Sequence, residues 1–171
     1  MQSLWGPYCK MVAMHSDKGV ESMPIKFFED FSIGDEISGK QDYEVTKEEI
    51  IDFANKWDPH PFHTDEEAAI YSIFKGLTAP ATLVIAIAGW LWHRVEDKPA
   101  LIAGLGWDEV RFLHPVRPGD KLSITFKCID ARPSESKPDC GILSTQVTIT
   151  NQKGDPILRL FDKYLVKKRA K

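Results

Sequence analysis

Residues 79–92 read Ala79-Pro80-Ala81-Thr82-Leu83-Val84-Ile85-Ala86-Ile87-Ala88-Gly89-Trp90-Leu91-Trp92, an apolar run broken only by Thr82. The run is shorter than the ~20 residues a membrane-spanning helix needs, so it predicts a helix buried in protein. Pro80 suits a first helical turn, where its missing N–H is no loss, and the helix is expected to run to about Arg94. A helix that is apolar on nearly every side has to be wrapped by other structure. Segments 102–113, 121–130, 141–151 and 156–167 supply it, since each reads as a strand. Leu122, Ile124, Phe126 and Cys128 alternate with Ser123, Thr125 and Lys127, the period-two pattern of a sheet with one covered face. Leu143, Val147 and Ile149 against Ser144, Gln146 and Thr148 repeat it. Turn formers separate the strands at Arg117-Pro118-Gly119-Asp120, in the Pro- and Ser-containing segment 131–139, and at Asn151-Gln152-Lys153-Gly154-Asp155.

Upstream of the run, residues 37–45 read as a strand. Thr46 with Glu49 forms a capping box that opens a helix carrying Ile50, Phe53, Ala54 and Trp57 on one face. That helix must stop near Trp57, because Pro59 and Pro61 push Asp58 and His60 out of helical geometry. Thr64 with Glu67 is a second capping box, for a helix through about Phe74. Helices set apart from a run of antiparallel strands make an α+β fold. A sheet curling around residues 79–92 would bury that helix on all sides.

The chain has 171 residues, 43% of them hydrophobic, which suits one domain with a real core over residues 23–171. Lys and Arg number 22 against 25 for Asp and Glu, a formal charge of −3 with no basic block, so nucleic-acid binding by counterion displacement is not expected. Cys9, Cys128 and Cys140 form no CxxC pair and no disulfide framework, which points to a reducing, cytoplasmic setting. No membrane association is expected. Residues 1–22 lack the features of a secretory signal, since Lys10 interrupts their only apolar part. They read as a flexible extension; the other reading is an ordered arm carrying Trp5 and Tyr8.

The densest cluster of ionisable side chains is Trp57-Asp58-Pro59-His60-Pro61-Phe62-His63-Thr64-Asp65, between two predicted helices. Its prolines stiffen the backbone and lower the entropy cost of holding Asp58 and His63 in a fixed relation. A rigid carboxylate and imidazole can take a proton from water and deliver one to carbon. From spacing alone three readings stand: this proton-transfer pair, an ordinary turn in which Asp58 caps the chain and His63 is a hydrogen-bonded loop residue, or a metal site built from Asp58, His60, His63 and Asp65. The chain has neither a zinc-type cysteine pair nor an HExxH helix, which weighs against the metal, and none is expected.

The run from Asp58 to Asp65, followed by Ala68, Phe74-Lys75-Gly76, Ala79-Pro80-Ala81-Thr82-Leu83 and Phe112-Leu113-His114-Pro115-Val116-Arg117-Pro118-Gly119-Asp120, resembles the MaoC-like dehydratase family of (R)-specific enoyl-CoA hydratases. The resemblance covers nearly all of residues 25–167. It implies a hotdog fold, a long central helix wrapped by an antiparallel sheet, and a hydratase motif matched here by Asp58, Pro61 and His63. Two positions depart from the family pattern. Its usual Asn is His60, and the His-Gly-Met that commonly opens the central helix is Pro80-Ala81-Thr82.

The implied reaction adds water to a 2-enoyl thioester, or removes it from a 3-hydroxyacyl thioester, of CoA or acyl-carrier protein, with no cofactor. Asp58 and His63 are the expected catalytic pair. The N–H of Ala81, at a helix N-terminus with its favourable dipole, is the expected oxyanion donor. His60, Pro80, Thr82 and Leu83 are expected to contact substrate, and the acyl chain to lie against the apolar residues from Leu83 to Trp92. Trp90 and Trp92 read as core filling, and His114 and Cys128 as packing residues. Lys75, Arg111 and Arg117 are candidates for the CoA phosphates, although solvated surface charge is the favoured reading of any one of them. Edge strands of a short wrapped sheet invite a second copy, so a homodimer or higher homo-oligomer is expected. Two alternatives remain: a hotdog thioesterase, against which stands the lack of a carboxylate from Ala79 to Arg94, and a non-catalytic acyl-thioester-binding subunit.

Overall fold

Local chemistry starts the first long helix where the sequence places it. The structure, a computed structural model, describes residues 25–170; the expected extension, residues 1–22, lies outside them. Thr46 Oγ1 accepts the Glu49 N–H at 3.1 Å, and helix α1 (Lys47–Trp57) buries Ile50 and Ala54. Asp58 closes α1 and donates its backbone N–H to the Ala54 carbonyl, so the chain leaves the helix just before Pro59. A one-turn helix α2 (Pro61–Thr64) follows, with Pro61 in its first turn, and then α3 (Glu66–Ile70).

The second cap differs from expectation. Asp65 is the residue that starts α3, its Oδ1 accepting the N–H groups of Glu67 and Ala68 at 2.8 and 3.0 Å. Thr64 is already helical and donates its hydroxyl to the His60 carbonyl. A carboxylate that serves two amides outcompetes a hydroxyl that has an acceptor of its own. α3 ends at Ile70, and Phe74 lies in the turns that follow.

Helix α4 (Ala81–Trp92) is the apolar helix, with Pro80 as its cap residue. Two short strands, β1 (Ile25–Lys26) and β4 (Lys98–Pro99), pair in parallel. The main sheet has six strands in the order β2 (Glu36–Ser38), β6 (Lys121–Pro133), β7 (Cys140–Thr150), β8 (Pro156–Lys167), β5 (Leu101–Phe112). β3 (Tyr43–Glu44) also pairs with β6, and all these pairings are antiparallel. The expected strand over 37–45 is therefore two short ones. At Gly39 the chain comes so close to β6 that an added Cβ would sit 3.0 Å from Ile124 Cγ2, and the Gly39 N–H donates to the Ile124 carbonyl at 2.8 Å.

The core lies between α4 and the concave side of the sheet. Leu83, Val84, Ile87 and Leu91 pack with Leu122, Ile124, Phe126, Val147, Ile149, Leu158 and Leu160. This is the α+β hotdog arrangement, with one correction: the sheet does not bury α4 on all sides. Thr82, Ala86, Gly89 and His93 form an exposed row along the helix, at the spacing of one face. The edge strand β5 also carries exposed Ile102, Leu105, Trp107 and Phe112. One sheet of this size covers one side of a helix, which leaves the opposite row to solvent or to another chain.

Candidate active site

The Asp58 and His63 side chains meet because α1 ends where α2 begins. His63 sits in the last turn of α2 and is only 7% exposed. Its Nδ1 lies 2.6 Å from the Thr78 carbonyl oxygen. A carbonyl can only accept, so Nδ1 carries the proton and the neutral ring has its lone pair on Nε2. Nε2 is 3.8 Å from Asp58 Oδ2, too long for a direct hydrogen bond. Both atoms can reach one water molecule placed between them, at contacts of about 2.8 Å. Asp58 is half-buried, and its other oxygen, Oδ1, is 3.5 Å from His60 Nε2.

His60, which stands where the family pattern has Asn, is exposed and stacks on Phe62 at 5.1 Å with an interplanar angle of 8°. Phe62 meets the His63 ring edge-on at 4.5 Å and Phe74 at 5.2 Å. The His63 imidazole is thus held by an aromatic wall on one side and a backbone acceptor on the other. Asp65, one of the candidate metal ligands, is engaged in capping α3. Among the described residues no three His, Cys, Asp or Glu side chains converge on a common point.

Thr78 links this pair to α4. Its N–H donates to the Phe62 carbonyl at 3.2 Å and its hydroxyl to the Val116 carbonyl at 3.0 Å, while its own carbonyl orients His63. The helix begins three residues later. Pro80 is buried and supplies its carbonyl to the N–H groups of Leu83 and Val84 at 3.0 and 3.2 Å. The N–H groups of Ala81 and Thr82 have no acceptor among the described residues, and both residues are exposed. They are the open donors at the positive end of the helix dipole. Leu83 is different: it lies in the core, 3% exposed, with its amide already used.

Arg117 is taken out of the list of phosphate ligands by its contacts. Its guanidinium donates to the carbonyls of Gly76 and Leu77 at 2.6 and 3.0 Å and also to that of Phe74. It fastens the segment that leads into Thr78, and Asp120 Oδ2 accepts its backbone N–H at 2.7 Å. Lys75 and Arg111 stay exposed. His114 Nδ1 donates to the Pro156 carbonyl at 2.7 Å, and Cys128 is buried.

A cavity of about 460 Å³ lies between α4 and the concave side of the sheet, next to β5. Ile85, Ala88, Gly89 and Trp92 line it from the helix. With Ala81 these residues fall on one helical stripe, so the cavity extends away from the open donors along the same face. Trp92 is therefore a wall of the cavity, whereas Trp90 packs edge-on against Tyr43 at 4.8 Å under the Arg94 guanidinium. Burial and the Glu49 carboxylate, to which Tyr43 donates at 2.5 Å, push the Tyr43 phenol up to about 12.

The Thr78 carbonyl had no signal in the sequence, since any residue has one. Comparison with known proteins bears on the fold and the family. The Bacillus subtilis strain 168 protein YdeM is 32% identical over 128 residues, 73% of this chain and 87% of YdeM. A crystal structure of the MaoC-like dehydratase from Rhodospirillum rubrum superposes with a TM-score of 0.79 at 35% identity, over 85% of this chain and 99% of that one. The unliganded R-hydratase PhaJ1 from Pseudomonas aeruginosa shares the fold, with a TM-score of 0.66 at 20% identity over 84% and 86% of the two chains. The family model described as the MaoC like domain matches residues 30–151, and this chain belongs to that family.

Proposed function

We propose that this chain is a hydratase/dehydratase that interconverts a 2-enoyl thioester and a 3-hydroxyacyl thioester, with a CoA ester as the substrate form. One observation carries the reading: a buried imidazole whose tautomer is set by the Thr78 carbonyl presents Nε2 3.8 Å from the Asp58 carboxylate, at the spacing for one shared water. The similarity to the MaoC-like dehydratase of Rhodospirillum rubrum and the fold shared with the R-hydratase of Pseudomonas aeruginosa support the same reaction class.

In the hydration direction the water oxygen bonds to the β-carbon and the electron pair of the double bond moves toward the thioester oxygen. The enolate charge that develops there is stabilised by the N–H groups of Ala81 and Thr82. The proton released by the water is held by the Asp58–His63 pair and passed to the α-carbon, where the negative charge collapses. Neutral Nε2 accepts a proton and protonated Nε2 donates one, so His63 can do both without losing its bond to Thr78. The acyl chain occupies the cavity along Ile85, Ala88 and Gly89. Residues 23–171 act as one domain, in a cytoplasmic setting. A second copy covers the open row of α4 and pairs with the exposed edge of β5, which gives a homodimer. Among the described residues no helix is long and apolar enough to cross a membrane.

The test is incubation with short, medium and branched 2-enoyl-CoAs, following loss of the conjugated absorbance with free thiol measured in parallel. Loss of conjugation without thiol release is the expected result. Thiol release would make it a thioesterase, and tight binding with neither signal a non-catalytic subunit.

A further inference from the structure

The concave row of β8 is apolar except at two places. Leu158, Leu160, Asp162, Tyr164 and Val166 alternate with outward residues, so a carboxylate and a phenol stand in the face that packs toward α4. The antiparallel register sets Thr145 of β7 and Trp107 of β5 directly opposite Asp162 on either side. Three strands therefore bring a carboxylate, a hydroxyl and an indole into one row across the sheet, and Tyr164 stands beside it.

Asp162, Tyr164 and Trp107 line the 460 Å³ cavity. Thr145 and Tyr164 are each 5% exposed, and Thr145 Oγ1 and Tyr164 Oη are buried without a hydrogen-bond partner among the described residues. No Lys, Arg or His lies within ion-pairing distance of Asp162 among them either. Burial raises the Asp162 carboxyl above its ordinary value, against the opposing influence of the nearby Tyr164 hydroxyl and Trp107 indole. Burial, and then the neighbouring Asp162 charge, hold the Tyr164 phenol far above its own ordinary value. A plain alkyl chain in this cavity would strip water from the Asp162 carboxylate without supplying a donor in its place, an unfavourable state for a charged group. A hydroxyl on the chain can donate to the carboxylate and restore part of that lost solvation.

We propose that the cavity selects acyl chains bearing a hydroxyl group remote from the thioester, with Asp162 as its acceptor, and that it disfavours chains ending in a carboxylate. The proposal rests on the acyl-thioester reading above and adds the class of acyl group to it. The cavity begins at Ile85, about 6 Å along the helix from Ala81, and reaches Trp92, about 16 Å along. A hydroxyl several carbons beyond the reacting bond falls within that span. Repulsion between like charges in a half-buried site turns away a terminal carboxylate.

The experiment is calorimetric binding of hexanoyl-, octanoyl- and decanoyl-CoA, their ω-hydroxy forms and their ω-carboxy forms to the full chain and to Asp162→Leu and Asp162→Ala, with circular dichroism to confirm folding. The expected result is that at least one ω-hydroxy ester binds the unmodified protein about tenfold or more tightly than its parent, with the ω-carboxy form weakest. In Asp162→Leu, or in Asp162→Ala if the first variant does not fold, the parent should bind as well as the ω-hydroxy ester or better. Equal binding of parent and ω-hydroxy esters throughout the series, or a preference unchanged in the variants, would overturn the proposal. Hydration of 2-octenoyl-CoA by the same samples separates the two readings. Hydration without the binding preference sinks this proposal alone, the preference without hydration sinks the assigned reaction alone, and neither binding nor hydration sinks both.

Discussion

Replacing Ala81 by proline isolates a single atom pair, the N–H at the first position of α4. Proline is tolerated there because its ring fixes a φ that the first helical turn already has, and the missing N–H has no intrahelical acceptor to lose. The preceding residue must be extended, and Pro80 already is, at φ −56° and ψ 144°. The bonds that start the helix, from Leu83 and Val84 to the Pro80 carbonyl, are untouched. Stability is therefore expected to stay within ~0.5 kcal/mol, the range of an innocuous surface change. Activity should not be spared. Removing one oxyanion donor costs about 10²–10³ in turnover, equivalent to ~3–4 kcal/mol of transition-state stabilisation. The assay is steady-state hydration of a 2-enoyl-CoA, with kcat and KM separated, beside thermal unfolding. Ala81→Ser, which keeps the N–H, should behave like the unmodified chain. A folded Ala81→Pro protein with near-normal kcat would refute the assignment of this amide to the thioester oxygen.

Three further perturbations test separate parts of the structure. Arg117→Met removes the donors that hold the carbonyls of Phe74, Gly76 and Leu77, and should cost ~1–3 kcal/mol in chemical unfolding and reduce kcat by loosening the approach to Thr78. A loss of CoA affinity alone, with stability unchanged, would return Arg117 to phosphate binding. Gly141→Ala places a Cβ into the Phe28 ring that rests on β7 and should destabilise by ~1–3 kcal/mol, with little effect on the chemistry of the folded fraction. Asp162→Asn tests the buried carboxyl. Its folded-state acidity is weakened by burial, so the folded chain binds that proton more tightly than the unfolded chain does. The resulting stabilisation is fully present below the ordinary value of 3.8 and is lost as pH rises through the raised folded value. The melting temperature of the unmodified chain should therefore fall relative to that of Asp162→Asn as pH rises through this window. Parallel curves would contradict it.

Features governed by neighbours in sequence were legible in the sequence. The Thr46 cap needs only Glu49 three residues on, and the strands of the main sheet announce themselves by alternation at Leu122–Cys128 and Leu143–Ile149. Asp58 and His63 were legible for the same reason, since one short proline-rich bend fixes both. Errors came where two local signals compete or where tertiary contact decides. The sequence reads Thr64 as the cap, but Asp65 takes that place because the Thr64 hydroxyl is drawn to the His60 carbonyl. The split between β2 and β3 follows from the close approach of Gly39 to Ile124, a residue on another strand. Two features could not be read at all. The acceptor that fixes the His63 tautomer is a backbone carbonyl, and the grouping of Asp162 with Thr145 and Trp107 exists only through the register of three strands. The open row of α4 was hidden because apolar composition tells how much of a helix avoids water, not how much of it one sheet can cover.

The proton-transfer role of the Asp58–His63 pair is tested most directly by the initial rate of 2-enoyl-CoA hydration in Asp58→Asn, a substitution that keeps the side chain's shape and removes its charge. The rate is expected to fall by about 10²–10⁴, the scale for loss of a general acid or base, while the unfolding midpoint stays close to that of the unmodified chain. A folded Asp58→Asn protein that hydrates the substrate at close to the normal rate would contradict it.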